Sequence, residues 1–377
     1  MSYIYLDNAA TTRVSERAAQ TMLRFAREEF YNPSAGYAPA LSVRRAITNA
    51  AGTIAGLLGA EAEEIVFTSC ATESNCHAFA CGIKNKKGNI VVGSGEHASV
   101  YECAMRLKSK GVEVRFAATD ADGHVTPENV AAVTDENTAF VSVMHCSNET
   151  GTVNDIAGIA AAVRAVSPRA TVHSDGVQAF CKVDTDVKKL GVDLYSVSAH
   201  KVGGPKGTGA LYIRKGFNMP PFIVGGGQQG NRRSGTENVC GIASFAEAAA
   251  EYKKAAGAFD ARSVAKIFTD RFSGRSDVRI NGGGHTSGYV LSLSFLGLRG
   301  EIIARGMEDN GILIGLGSAC STHVRSNRVL GAMGVPKEFA EGSVRISFCP
   351  STTREEAEYA AATLEKVTND LRERMRR

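Results

Sequence analysis

Ser198-Ala199-His200-Lys201, followed directly by Val202-Gly203-Gly204-Pro205-Lys206-Gly207, sets a lysine at the end of a strand-like run, Leu194-Tyr195-Ser196-Val197-Ser198. The glycines and proline make a turn so poor in side chains that a bulky group can approach the ammonium closely. A lysine stripped of water in such a place has its neutral amine favoured. The free amine is the form that condenses with carbonyl cofactors. Read alone, the same residues also describe a solvated lysine before a flexible turn.

A second run narrows the choice. Thr171-Val172-His173-Ser174-Asp175 reads as a short strand delivering an aspartate at its end, with Gln178 three residues on. Pyridoxal phosphate asks three things of a protein: a lysine for its aldehyde, an acid beside its pyridinium nitrogen, and donors for its phosphate. Asp175 alone also reads as a helix cap or turn residue before Gly176. Paired with Lys201 at the end of another strand, it reads as the acid. The phosphate donors have a candidate in the strand Ile65-Val66-Phe67-Thr68, after which Ser69-Cys70-Ala71-Thr72-Glu73-Ser74-Asn75 opens a helical pattern. A helix start presents unpaired N–H groups and the positive end of the dipole, and Ser69 and Thr72 add hydroxyls.

Around these segments the chain alternates β-rich and helical runs. Strands are expected over 65–68, 90–94, 112–116, 139–144, 171–174, 194–198 and 209–213, with an amphipathic helix over 157–166 among the runs between them. That alternation predicts an α/β fold with a mostly parallel seven-stranded sheet. Ligand groups at the carboxyl ends of strands, as with Asp175, fall where open α/β sheets bind ligands. Past Gly257 the texture changes to a smaller α+β unit: helices over 261–272 and 299–310, strands over 278–281, 289–295 and 344–348, and a closing helix.

The ordered motifs resemble the class V aminotransferase-like enzymes of pyridoxal phosphate fold type I, and within them the cysteine desulfurases. They run Tyr5-Leu6-Asp7-Asn8-Ala9-Ala10-Thr11-Thr12, Asn32-Pro33-Ser34, Thr68 to Asn75, Glu96-His97 and Asn148-Glu149-Thr150-Gly151. They continue through His173-Ser174-Asp175 with Gln178, Ser198 to Lys201, Arg233-Ser234-Gly235-Thr236, and Gly317-Ser318-Ala319-Cys320. The resemblance implies a large cofactor-binding domain over 16–256 and a small domain built from 1–15 and 257–377 that carries the cysteine loop.

It also implies roles. Lys201 would hold the cofactor and shuttle protons at the substrate α-carbon and the cofactor. His97 would stack on the ring as a possible acid or base, and Asp175 would pair with its nitrogen. Gln178 and Asn148 would lie about the phenolic oxygen, with Asn148 also near substrate. Ala71, Thr72, Ser198 and His200 would bind the phosphate, and Thr236 would reach the phosphate of a neighbouring subunit, making the protein a homodimer. Arg345, in Val344-Arg345-Ile346-Ser347-Phe348, would clamp the substrate carboxylate through its planar fork.

Cys320 separates a desulfurase from an ordinary aminotransferase. It would take sulfur from L-cysteine as a persulfide, leaving L-alanine, and pass it to an acceptor protein such as an iron–sulfur scaffold or a thiolation relay. The Gly-Ser-Ala-Cys wording resembles desulfurases that feed iron–sulfur cluster assembly. The glycines of Leu313-Ile314-Gly315-Leu316-Gly317 suggest a mobile loop before the thiol, as a travelling nucleophile requires. Its thiolate calls for a neighbouring base or cation, and His97 and His323 are both candidates. Two other enzymatic readings stand beside this one, a class V aminotransferase, which would not need Cys320, and a selenocysteine lyase. A cofactor-free sulfur carrier or structural partner protein is the third.

Several positions depart from the family pattern. Cys70 stands where glycine is usual, which predicts strain if that position has a positive φ. Tyr37 replaces a histidine, Cys146-Ser147 precede Asn148, Gln229 replaces an acidic residue, and Cys349-Pro350 follow Phe348.

Composition excludes other classes. The 377 residues are long enough for two domains, and 44% hydrophobic content fits a globular chain. No apolar run reaches the roughly 20 residues that span a bilayer. The segment Met1-Ser2-Tyr3-Ile4-Tyr5 has no basic or apolar leader, so a cytoplasmic location is expected. Nine cysteines without Cys-x-x-Cys spacing argue against a disulfide framework or a bound metal. A net charge of +4 is too small to imply nucleic acid as a partner.

Overall fold

A computed structural model of the chain describes residues 3–85, 87–317 and 328–376. Two sheets organise it. The larger contains β2 (Ile65–Thr68), β3 (Asn89–Gly93), β4 (Val114–Ala117), β5 (Thr138–Ser142), β6 (Thr171–Asp175), β7 (Leu194–Ser198) and β8 (Gly209–Ile213). The smaller contains β1 (Ile4–Leu6), β9 (Val278–Asn281), β10 (Val290–Phe295), β11 (Ile312–Leu316) and β12 (Ser343–Ser347).

The large sheet has the order β2-β8-β7-β6-β5-β3-β4, with only β8 running against its neighbours. All seven expected strands are present, with ends displaced by at most two residues. Every residue of β3, β5, β6, β7 and β8 is buried, as strands of a sheet covered on both faces require. Side-chain alternation divides them between two cores. Phe67, Val91, Val141, Val172, Tyr195 and Tyr212 enter one. Their neighbours Val66, Ile90, Phe140, Leu194 and Ile213 enter the other.

The small sheet, ordered β1-β11-β12-β10-β9, packs on the helices Ala261–Phe272 and Arg354–Arg376 around Leu6, Phe268, Phe295 and Leu364. Among the described residues its parallel pair joins β1 to β11. Here the sequence reading needs correction. Residues 312–316 form a strand and not the start of a loop. Gly315 sits there because a Cβ would fall 2.4 Å from Asp7 Oδ1 and 3.0 Å from Arg345 Nε. Cys320 and His323 lie outside the described residues. No helix among the described residues is long and apolar enough to cross a membrane.

Candidate active site

The parallel strands β6 and β7 lie in register, Asp175 opposite Ser196, so their carboxyl ends open at one edge of the sheet. β6 stops at Asp175, and β7 passes into the single turn Ala199–Lys201. Gly176 is required between them, since a Cβ there would lie 2.0 Å from the buried Tyr195 ring. The turn puts Lys201 over the same edge as Asp175. A cavity of about 380 Å³ opens there, lined by Lys201, Asp175, His97, Asn148 and Arg345 among others.

Lys201 is half-buried, and its Nζ donates to the carbonyl oxygens of Ala9 (2.5 Å) and Ala10 (2.7 Å). Burial, with Lys182 and Arg345 nearby, brings its pKa down to about 7 against the opposing pull of Asp7 and Asp175. Near neutral pH a large fraction of the amine is therefore free, the state condensation with an aldehyde requires.

Asp175 accepts from the Val177 N–H (3.0 Å) and from Asn75 Nδ2 (2.8 Å). The same Asn75 nitrogen donates to Ser99 Oγ (2.8 Å), which lies 2.8 Å from His97 Nδ1. His97 is the N-cap of the helix Ala98–Lys108, its Nδ1 accepting from the Ser99 N–H at 3.2 Å. The surrounding atoms hold its pKa below the ordinary imidazole value. Burial comes first, then Lys201, Arg328 and Arg345 act against Asp175, although part of the ring stays exposed.

At the other end of the cavity stands the start of the helix Ala71–Cys81. Its N-cap, Cys70, supplies no side-chain acceptor to the first N–H groups. The strain expected at Cys70 is absent, because its φ of −175° is extended backbone open to any residue. Gly209 opens β8 against this helix start: a Cβ would sit 2.8 Å from the Cys70 carbonyl carbon and 3.0 Å from the Ala71 nitrogen. Thr72, Ser198 and His200 line the same end. Ser198 Oγ is buried without a hydrogen-bond partner among the described residues. His200 Nδ1 lies 3.2 Å from Thr11 Oγ1, and burial with three nearby lysines holds the ring down to about 4, so it is neutral at physiological pH.

This donor set fits pyridoxal phosphate. A desolvated amine, a carboxylate and an uncapped helix start with an orphaned hydroxyl converge on one cavity.

Arg345 closes the remaining side. Its guanidinium donates to Asp7 Oδ1 (2.8 Å) and the Asn148 carbonyl (3.0 Å), while Nε is buried without a partner among the described residues. Gln178 Nε2 donates to the Ala9 carbonyl (2.9 Å) and its Oε1 accepts from Lys182. Ala71 and Gln178 also line the cavity, whereas Thr236 is exposed and outside the lining. Three residues were missed by sequence reasoning. Asn75 and Asp7 sat inside quoted motifs without a role, and Ser99 followed His97 by two positions with no signal of its own. Two cysteines, Cys70 and Cys146, also line the cavity, and burial pushes the Cys146 thiol up to about 11.

Known proteins resemble this chain over nearly its whole length. The family described as Aminotransferase class-V matches residues 4–359. A protein named cysteine desulfurase IscS from Dictyoglomus turgidum is 36% identical over 98% of this chain and 95% of its own length. A cysteine desulfurase from Bradyrhizobium diazoefficiens is likewise 36% identical over 98% of this chain and 95% of its own. Among solved structures, one described as a NifS-like protein superposes with a TM-score of 0.87 at 34% identity, covering 98% of this chain and 99% of that one.

Proposed function

This chain belongs to the class V aminotransferase family, and from that premise we infer that it is a pyridoxal phosphate-dependent cysteine desulfurase. The reaction converts L-cysteine to L-alanine and leaves the sulfur as a persulfide on the enzyme. The observation that carries it is the convergence, in one cavity, of the desolvated Lys201 amine, the Asp175 carboxylate and the Arg345 guanidinium.

When bound, the cofactor supplies an electron sink for charge developing at the substrate α-carbon. Lys201 would hold its aldehyde and Asp175 its ring nitrogen, with His97 against the ring and Gln178 and Asn148 beside the phenolic oxygen. The Ala71 backbone, Thr72, Ser198 and His200 would take the phosphate. Arg345 holds the substrate carboxylate, using the Nε that has no partner among the described residues. Lys201 Nζ, as a free amine, takes the α-proton of L-cysteine.

Cys320 is the proposed sulfur carrier. Its thiolate bonds to the substrate sulfur as the substrate Cβ–S bond breaks. The Cβ then takes up a proton, so that L-cysteine and a thiol become L-alanine and a persulfide. The described residues on either side of the segment carrying Cys320 touch residues of the cavity wall or their neighbours, which supports the assignment. β11 brings Gly315 opposite Arg345. Beyond the segment, the Arg328 guanidinium donates to the carbonyls of Ser94 and Glu96, beside His97.

The division into a large domain (16–256) and a small one (1–15 with 257–377) belongs to the same reading. So does a homodimer in which the exposed Thr236 reaches the partner's phosphate site. A protein sulfur acceptor, an iron–sulfur scaffold in the first instance, and a reducing cytoplasm complete it. Mass spectrometry after incubation with L-cysteine tests the whole. An added sulfur on the Cys320 peptide with alanine in solution is expected; alanine without that added sulfur would move the carrier elsewhere.

A further inference from the structure

Cys76 and Cys103 stand apart from the sulfur chemistry above, and neither lines the Lys201 cavity. They lie on adjacent helices, Ala71–Cys81 and Ala98–Lys108, with their sulfurs 3.4 Å apart. That separation is inside ordinary sulfur contact, and a disulfide of roughly 2.05 Å would draw the two sulfurs closer still. Both are only partly buried. They share a second cavity of about 430 Å³, whose apolar wall includes Phe79 and Leu107 and which carries the cations Arg106 and Lys110. Either sulfur can donate to the other, and where Cys103 donates it holds Cys76 down to about 7. Burial opposes this, Arg106 assists it and Glu73 works against it, while Cys103 itself is pushed up. Sharing one proton across the contact, with Arg106 beside it, lets the pair hold one thiolate and one thiol.

We propose that Cys76 and Cys103 form a redox-active dithiol that reacts with small anionic disulfides and closes reversibly to a disulfide between the two helices. In the first step the Cys76 thiolate attacks one sulfur of the small disulfide, forming a mixed disulfide and releasing one thiolate. Cys103, losing its proton to solvent, then attacks the Cys76 sulfur and expels the second thiolate. The protein pair is oxidised by two electrons and the small disulfide is reduced to two thiols. The cations of the cavity suit an anionic oxidant such as oxidised glutathione. The closed form ties together the helices that carry Asn75 and Ser99, one residue before Cys76 and one turn before Cys103.

The test uses the full-length, cofactor-loaded Cys320→Ser protein, which removes the proposed carrier thiol. After oxidised glutathione, alkylation and non-reducing digestion, a linked Cys76–Cys103 peptide is expected, with both thiols lost to alkylation and recovered with dithiothreitol. Adding Cys103→Ser should arrest the reaction at a glutathione adduct on Cys76. Phenylarsine oxide, which bridges paired thiols, should protect both cysteines, and either single serine substitution should abolish that protection. Alkylation of Cys76 and Cys103 at the same rate before and after oxidation, in protein whose circular dichroism is native, would overturn the proposal. So would a glutathione adduct that persists on Cys76 with Cys103 intact.

Discussion

Asn75 Nδ2 lies 2.8 Å from Asp175 Oδ2, and it gives its other hydrogen to Ser99 Oγ, also at 2.8 Å. An amide nitrogen only donates, so Ser99 Oγ accepts there and turns its own proton toward His97 Nδ1. With the Ser99 N–H on the same atom, Nδ1 is an acceptor and neutral His97 carries its proton on Nε2. The carboxylate proposed for the ring nitrogen and the imidazole proposed for the ring face are therefore set by one amide.

Removing the middle of this chain should show in the imidazole before it shows in the fold. Ser99→Ala deletes one hydrogen bond to Nδ1 and leaves the backbone N–H in place. A neutral bond of this kind contributes about 1 kcal/mol, so kcat/KM for L-cysteine should fall about fivefold. Nitrogen NMR of labelled histidine should show weaker preference for the Nε2–H form. An unchanged tautomer ratio in Ser99→Ala would remove Ser99 from this role.

The low pKa of Lys201 makes cofactor capture pH-dependent. Burial lowers it to about 7, so below that pH the free amine falls about tenfold for each unit, and above it the amine is mostly free. The rate at which cofactor-free protein acquires the visible absorbance of the lysine-bound cofactor should rise with pH up to about 7 and then level off. The linkage runs the same way. A lysine depressed in the folded state costs the cofactor-free protein stability below about 7, and that cost fades as pH climbs toward the unfolded value near 10.4. A capture rate still climbing tenfold per unit at pH 9 would place the amine in ordinary solvent. Lys201→Ala should show no such band at any pH.

Arg345 offers a different kind of readout. The substrate carboxylate keeps its charge throughout the reaction, so an interaction with it is uniform binding and belongs in KM. Arg345→Lys replaces a planar fork by a point charge and should raise KM for L-cysteine about tenfold to a hundredfold with little change in kcat. Asp7→Ala keeps the guanidinium but removes its 2.8 Å hold, and should raise KM by less. A kcat loss equal to the kcat/KM loss in Arg345→Lys would assign the residue to the reacting atoms instead.

Much of this was legible in the chain. The large-sheet strands announced themselves as β-branched runs bounded by turn residues, and Lys201 and Asp175 stood at two of their ends. β11 did not, because Gly315 interrupts it and Gly317 follows it directly. Gly315 is there for tertiary reasons, clearance for Asp7 and Arg345, which no local pattern encodes. The Asn75 link was hidden for a related reason, since it joins residues 100 and 24 positions apart and exists only once β6 and two helix starts meet. Cys70 shows the opposite error. A rule about glycine predicted strain, and the extended backbone at that position makes the rule irrelevant.

Gly209 is where the sheet and the phosphate end of the cavity depend on one absent methyl group. A Cβ there would fall 2.8 Å from the Cys70 carbonyl carbon, 2.9 Å from the Val197 carbonyl oxygen and 3.0 Å from the Ala71 nitrogen, all of them backbone atoms that cannot swing aside. Gly209→Ala must therefore displace either β8 or the start of the helix Ala71–Cys81. Overpacking of this kind costs about 1–3 kcal/mol, which denaturant unfolding of the cofactor-free protein would measure. The helix start is the less constrained partner, with first N–H groups that its cap residue leaves open, so much of the shift should fall there. Cofactor affinity should then drop about tenfold, the equivalent of one charge-assisted hydrogen bond to phosphate. A folded Gly209→Ala protein that binds pyridoxal phosphate as tightly as the parent would mean that the phosphate is held elsewhere.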